Sequence, residues 1–165
     1  MVEPQLESPQ VRGWLQKKYN LKFLSSGLLY RYASFLILKH RPENQVLFLK
    51  IKFQKLNYKK LKYINLHSPL ISEHSAIIAK KSKIRIILKK FQLDFSKKYK
   101  NCCIEGRDIS TKILPNSDLK FFFKCSLSTA ALRRYRELKK KDRKIKLKDV
   151  KKALRIRNIL DTKRK

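Results

Sequence analysis

Three short runs constrain this chain most: Lys22-Phe23-Leu24, which begins a short strand, and the continuous apolar runs Cys102 to Ile104 and Leu119 to Phe123. Each is too short for a helix and is bounded by polar residues. A continuous apolar run of this kind reads as a strand covered on both faces. Stretches of helical period lie between the first two runs. Strands joined by helices pair parallel, because a parallel pair needs a long crossover. The expected fold class is therefore α/β with a parallel sheet. The second run leads into Glu105-Gly106-Arg107-Asp108-Ile109, then Leu114-Pro115-Asn116 and the third run. A glycine, a cation and a carboxylate thus sit together at a strand's carboxyl end. That is where ligands bind in open α/β sheets. An arginine there can grip phosphate, and a carboxylate can hold a hydroxyl or another cation.

The helices follow from period and capping. Residues 1–10 are polar and read as a loop or tail, and 11–19 as the later part of a helix. A short strand begins at Lys22 and ends at Ser25-Ser26-Gly27, and Leu28 to Leu38 is helical. The Lys-rich stretch 41–66 holds short helical pieces at 43–55 and 58–62. Ser68-Pro69 is a helix start, with Ser68 as N-cap and proline in the first position. From Ile71 to Phe95 the period is helical, with a break near Ser82. Ile77, Ile78, Ile84, Ile87, Leu88 and Phe91 make its apolar face. Lys97 to Asn101 is a loop. Ser128 caps a helix from Thr129 to about Lys141, and a last helix runs from Leu147 to about Leu160.

Charge restricts the partners without choosing among them. The 165 residues carry 43 basic and 12 acidic side chains, a formal charge of +31. Such an excess suits nucleic acid, an anionic membrane face or polyanionic small molecules. The excess is mostly lysine and comes with much Ile, Asn, Phe and Tyr, a bias that an AT-rich genome produces whatever the function. Cys102, Cys103 and Cys125 have no metal-binding spacing and form no secreted disulfide framework. The polar, acidic start is not a signal peptide. The run from Ala33 to Leu38 is too short to span a bilayer. A reducing, cytoplasmic location is the expectation, with no membrane partner. His40, His67 and His74 read as solvated or packed.

Several segments together resemble the bacterial cytidylate kinases. Ser25-Ser26-Gly27-Leu28-Leu29-Tyr30-Arg31 is similar to their D-[ST]-G-x-x-Y-R segment. Glu105-Gly106-Arg107-Asp108-Ile109 through Phe121 resembles their D-G-R-D-[IM]-G-T segment and the proline and lysine that follow it. Ala131-Leu132-Arg133-Arg134-Tyr135-Arg136-Glu137-Leu138 resembles their R-A-x-R-R-x-x-[EQ]-L helix. Arg157-Asn158-Ile159-Leu160-Asp161-Thr162-Lys163-Arg164 follows the spacing of their R-D-x-x-D-x-x-R lid. Order and gaps agree from about residue 15 to the last.

The resemblance implies a P-loop nucleoside monophosphate kinase fold, a single domain over 1–165. Residues 40–82 would be its monophosphate-binding insertion and 140–165 its lid. It implies transfer of the γ-phosphate of ATP, with Mg2+, to CMP or dCMP by a monomer, with no nucleic-acid partner. By position, Ser26 would sit near the cytosine, and Arg31 and Arg85 at the monophosphate. Arg107 and Asp108 would contact the pyrimidine nucleotide, Asp108 reaching the sugar. Arg157 and Arg164 would close catalytically over the transferring phosphate, with Asp161 on the sugar. Arg133 and Arg134 would lie near ATP. Arginines suit this work because phosphoryl transfer is mostly positioning and electrostatic stabilisation.

Some family features have no counterpart. The phosphate-binding loop should fall around residues 2–10, where there is neither glycine nor lysine. The strand before it and the family's last strand and helix are also missing, so no ATP or Mg2+ ligand set is recognisable. The expectation is an incomplete fold, truncated at both ends and poorly stable alone. Ser25 replaces an aspartate, Ala76 a serine, Ser110 a glycine and Asn158 an aspartate. Two other functions stay open: a non-enzymatic basic nucleic-acid-binding protein, with Tyr58, Tyr63 and Tyr99 among lysines, and a pseudoenzyme binding CMP without ATP.

Overall fold

A computed structural model describes residues 8–122, 125–140 and 145–162. They gather into two units, Met1–Lys120 and Phe121–Lys165. In the first unit the order is α1 (Ser8–Lys18), β1 (Lys22–Ser25), α2 (Ser26–His40), α3 (Gln45–Gln54), a 3-10 helix (Tyr58–Tyr63), α4 (Pro69–Ile78), α5 (Ser82–Lys98), β2 (Cys102–Glu105) and a π-type turn (Ile109–Ile113). The second unit holds α6 (Leu127–Lys139) packed against α7 (Leu147–Thr162).

β1 and β2 pair in parallel, Lys22 opposite Cys102 and Ser25 opposite Glu105. The α2–α5 stretch is the crossover that a parallel pair requires. The core forms where these helices cover the strands. Leu24 of β1 and Leu29, Ala33, Leu36 and Ile37 of α2 are buried against Leu49 and Phe53 of α3, Leu61, Leu66, Ile78 of α4, and Ile84 and Leu88 of α5. Ile84, Leu88 and Gln92 recur every fourth residue on the buried face of α5, while Lys83, Lys89, Lys90 and Lys97 face solvent. That is the amphipathic pattern of a helix laid on a core.

The caps explain the boundaries. Ser68 Oγ accepts from the Ile71 amide at 3.3 Å and Pro69 opens α4, as the sequence predicts. Asn44 caps α3 in the same way, taking the Leu47 amide at 3.0 Å. At its other end α2 closes on Arg41, whose left-handed backbone (φ 45°, ψ 49°) lets its N–H reach the Ile37 carbonyl. A glycine normally fills such a position.

Five expectations are corrected. The first helix already starts at Ser8, inside the stretch 1–10 read as a loop or tail. Leu119 to Phe123 is not a strand: Leu119, Phe121 and Phe122 are exposed and irregular, and Phe123 lies outside the described residues. An apolar run becomes a strand only where a neighbour takes its backbone hydrogen bonds, and the described sheet has two strands, β1 and β2. Ser126, not Ser128, caps α6, accepting the Thr129 amide at 3.0 Å. Ile77 is half exposed, because neighbouring side chains on a helix point about 100° apart and Ile78 takes the buried position. Finally, α5 continues to Lys98, so the following loop is shorter than Lys97 to Asn101.

Candidate active site

Both strands end at the same level. Ser25 and Glu105 are register partners, so Ser26 and Gly106, the next residues, emerge side by side. Ser26 is buried as the first residue of α2. Its approach to Gly106 is so close that a Cβ at 106 would lie 2.9 Å from the Ser26 Cβ, and 2.7 and 2.9 Å from Cγ1 and Cδ1 of Ile109. This contact, not an unusual φ, is what requires glycine there.

After Gly106 the chain turns through exposed Arg107 to Asp108 and enters the π-type turn. The Asp108 carbonyl accepts from Lys112 N at 2.8 Å and Ile113 N at 3.2 Å, and the Ile109 carbonyl from Leu114 N at 2.7 Å. Buried Ile109 and Ile113 anchor the turn. The carboxylate of Asp108 takes a hydrogen bond from Arg85 Nη2 at 2.5 Å, with both side chains about one-third exposed. One helical turn along α5, Lys89 donates from Nζ to the Lys112 carbonyl at 3.0 Å. Two residues of α5 therefore hold the first and last parts of the segment from 108 to 112.

Arg31 lies on α2, five residues after Ser26. Its Nη1 donates to the Leu66 carbonyl at 3.2 Å and to Ser72 Oγ at 2.6 Å, which fixes the guanidinium against α4. Ser75, beside Ala76, spends its hydroxyl on the Ser72 carbonyl at 2.7 Å. The crossover between β1 and β2 is tied to the site a second time. The Ser25 amide donates to the Tyr58 hydroxyl at 2.7 Å, and the Tyr58 ring packs edge-on against Phe95. Tyr58 is thus a structural strut and not a free stacking platform.

The structure brings Ser26, Arg85, Arg107 and Asp108 to the carboxyl end of the strand pair, with Arg31 five residues along α2 from Ser26. In the second unit, Arg133 and Arg134 lie on α6, and Arg134 Nη1 pairs with Glu137 at 2.9 Å. Arg157 and Asp161 lie on α7, but their side chains are outside the described residues, as is Arg164 altogether. Sequence reasoning missed Ser72, the Leu66 carbonyl and Lys89. Only Ser72 carries a signal, as a serine one turn after the Ser68 cap.

Little else in the described residues can do chemistry. No three of their His, Cys, Asp or Glu side chains gather into a metal site. Burial, and then the neighbouring Cys103, push the Cys102 thiol up, away from the reactive thiolate. No described helix is long and apolar enough to cross a membrane.

Comparison with known proteins decides the lineage. The cytidylate kinase family model matches residues 10–165. This chain belongs to the cytidylate kinase family. It is 30% identical over 166 residues to a cytidylate kinase of Mesomycoplasma hyopneumoniae strain 7448, covering 92% of this chain and 71% of the relative. It is 31% identical over 160 residues to one of Clostridium botulinum strain Hall, covering 90% and 73%. Against one of Bartonella tribocorum it is 33% identical over 140 residues, covering 79% and 63%. The family's kinase reaction uses ATP and Mg2+. The residues described here do not fit that group: Gly13 is in α1, Gly27 in α2 and Gly106 against Ser26, and none has the positive φ of a phosphate-cradling loop.

Proposed function

We propose that this cytidylate kinase family member is a nucleoside monophosphate kinase whose phosphoryl acceptor, CMP or dCMP, sits at the carboxyl end of β1 and β2. The alternative of a purely nucleic-acid-binding protein is not favoured by the family match. The Arg85–Asp108 pair beside Ser26 is the observation that carries the reading. The resemblance put Arg85 on the phosphate and Asp108 on the sugar. An arginine already neutralised by a carboxylate at 2.5 Å is a poor grip for a dianionic phosphate. The pair is instead suited to a polar base edge. Asp108 can accept from the exocyclic amine of cytosine, and Arg85 can donate to the ring acceptors beside it. Uracil presents an oxygen in place of the amine, which the carboxylate repels.

Arg31 is assigned to the monophosphate by its motif position, and its guanidinium is positioned by Ser72 Oγ and the Leu66 carbonyl. Arg107 lies at the mouth of the same site. For Arg157, Arg164 and Asp161 the reading keeps the roles that the resemblance implies, on the transferring phosphate and the substrate sugar. Transfer itself needs little covalent help from the protein. Cations spread around the equatorial oxygens and a fixed acceptor supply most of the acceleration. The P-loop nucleoside monophosphate kinase fold is the architecture this reading assumes.

A coupled assay of ATP turnover with CMP, dCMP and UMP tests it. Asp108→Asn should lower kcat/KM for CMP by roughly 10–150-fold, the worth of a hydrogen bond to a charged group. Discrimination against UMP should narrow at the same time. Turnover of CMP unchanged in Asp108→Asn would exclude this site.

A further inference from the structure

The opposite end of the strand pair carries a second surface that the kinase reading does not use. β1 and β2 both start there, at Lys22 and Cys102, and the Lys22 amide donates to the Asn101 carbonyl at 2.9 Å. The turn after α1 and the turn after α5 flank a cavity of about 330 Å³. Asn20, Lys22, Lys98, Tyr99, Lys100 and Asn101 line it. Three of the six are cationic. No carboxylate occurs in the sequence between Glu7 and Glu43 or between Asp94 and Glu105, so these segments bring no neutralising charge.

Aromatic rings accompany the charge. Tyr99 is propped against Phe95 at 4.8 Å, with Lys98 Nζ 5.7 Å from its ring centre. Next to Asn20, Tyr19 meets Trp14 edge-on at 6.1 Å, and Lys18 Nζ lies 4.7 Å from the Trp14 ring and 5.5 Å from that of Tyr19. Trp14 and Tyr19 are 54% and 52% exposed. Large rings left that open contribute little to the core.

We propose that this face binds single-stranded nucleic acid. A single strand offers flat bases and phosphates in alternation, and this face and the residues beside it offer both rings and lysines. The amides of Asn20 and Asn101 add hydrogen-bonding groups for base edges, which an anionic lipid surface would not use. A duplex hides its base faces and could engage only the lysines.

The test uses the full chain and a fluorescently labelled oligo(U) strand, read by anisotropy and by quenching of Trp14, the sole tryptophan. Because a charge of +31 attracts any polyanion, the comparison is between faces. Lys98→Glu with Lys100→Glu should weaken binding at least 10-fold and flatten the log–log salt slope by roughly 1.4, two phosphate contacts at about 0.7 each. Lys59→Glu with Lys60→Glu, equally exposed lysines of the 3-10 helix, should weaken it less than 3-fold. Trp14→Ala should cost roughly 5-fold or more, one lost stacking contact. Saturating CMP should leave the affinity unchanged. An oligo(dT) arm separates RNA from DNA as the source of the strand. Equal losses from the two lysine pairs, equal affinity for a duplex, displacement by CMP, or Trp14 quenching by phosphatidylserine vesicles but not by the oligonucleotide would each overturn the proposal.

Discussion

Replacing Gly106 by alanine is the sharpest probe of the candidate site, because one methyl group tests its whole construction. The new Cβ would sit 2.7 Å and 2.9 Å from two carbons of Ile109 and 2.9 Å from the Ser26 Cβ. Non-bonded carbons prefer about 3.5–4.0 Å. The overlap is therefore roughly 1 Å on two sides, from the π-type turn and from α2. Ile109 is buried and carries one of the turn's own hydrogen bonds, so it has little freedom to withdraw. Overpacking of this kind costs about 1–3 kcal/mol. For a chain of this length, thermal unfolding should fall by about 2–12 °C. The KM for CMP should rise as well, since Asp108 is displaced with the turn.

A double-mutant cycle separates this account from a general loss of packing. Ile109→Ala removes both overlapping atoms of that residue and alone should cost about 2–5 kcal/mol. In Gly106→Ala/Ile109→Ala the new methyl enters the space vacated. The double variant should be more stable than the sum of the singles by at least about 1 kcal/mol, read from denaturant midpoints. Additivity within about 0.5 kcal/mol would show that Gly106 is not required by the contact with Ile109.

Other perturbations follow from single contacts. Lys89→Met removes the bond to the Lys112 carbonyl; we expect a KM for CMP raised about 2–5-fold with kcat unchanged, restored by Lys89→Arg in steady-state assays. Tyr58→Phe leaves the Ser25 amide without its acceptor and should destabilise by about 1–3 kcal/mol, with faster hydrogen exchange at Ser25. Burial, and secondarily Lys81, hold the His74 imidazole below its usual range, and its Nδ1 is buried without a partner. The unfolded chain then binds the proton first. Stability should be full above pH 6.5 and fall as pH drops from there through the folded value, and His74→Gln should remove that part of the acid dependence.

What the sequence discloses about this fold depends on the range of the interaction that decides each feature. Ser68-Pro69 is legible because cap and helix are adjacent. The two described strands are legible because Phe23-Leu24 and Cys102–Ile104 are short apolar runs separated by a crossover. Leu119 to Phe122 has the same look and stays irregular, since strand formation is a relation between segments. Ser126 and Ser128 both satisfy the composition of an N-cap, and a shift of two residues in the helix start decides between them. Arg41 in a left-handed cap has no sequence signal, because the chain has few glycines and the fold makes do with a cation there.

The candidate site divides along the same line. The motif residues Ser26, Arg31, Arg107 and Asp108 are legible through resemblance, and Arg85 through a shorter match. Their pairing is not. Arg85 and Asp108 are 23 residues apart, and only the packing of α5 against the π-type turn brings them to 2.5 Å. On the function proposed above, that contact suits Arg85 to base reading rather than to phosphate binding. Ser25 shows the reverse, a departure from the family pattern that the structure makes intelligible. Where the segment it resembles has aspartate, the Ser25 hydroxyl accepts from the Leu28 amide at 3.4 Å and caps α2. Serine and aspartate serve about equally as N-caps. The substitution therefore keeps the start of α2, and with it Ser26 and Arg31, while giving up a negative charge next to the site proposed for a nucleotide anion.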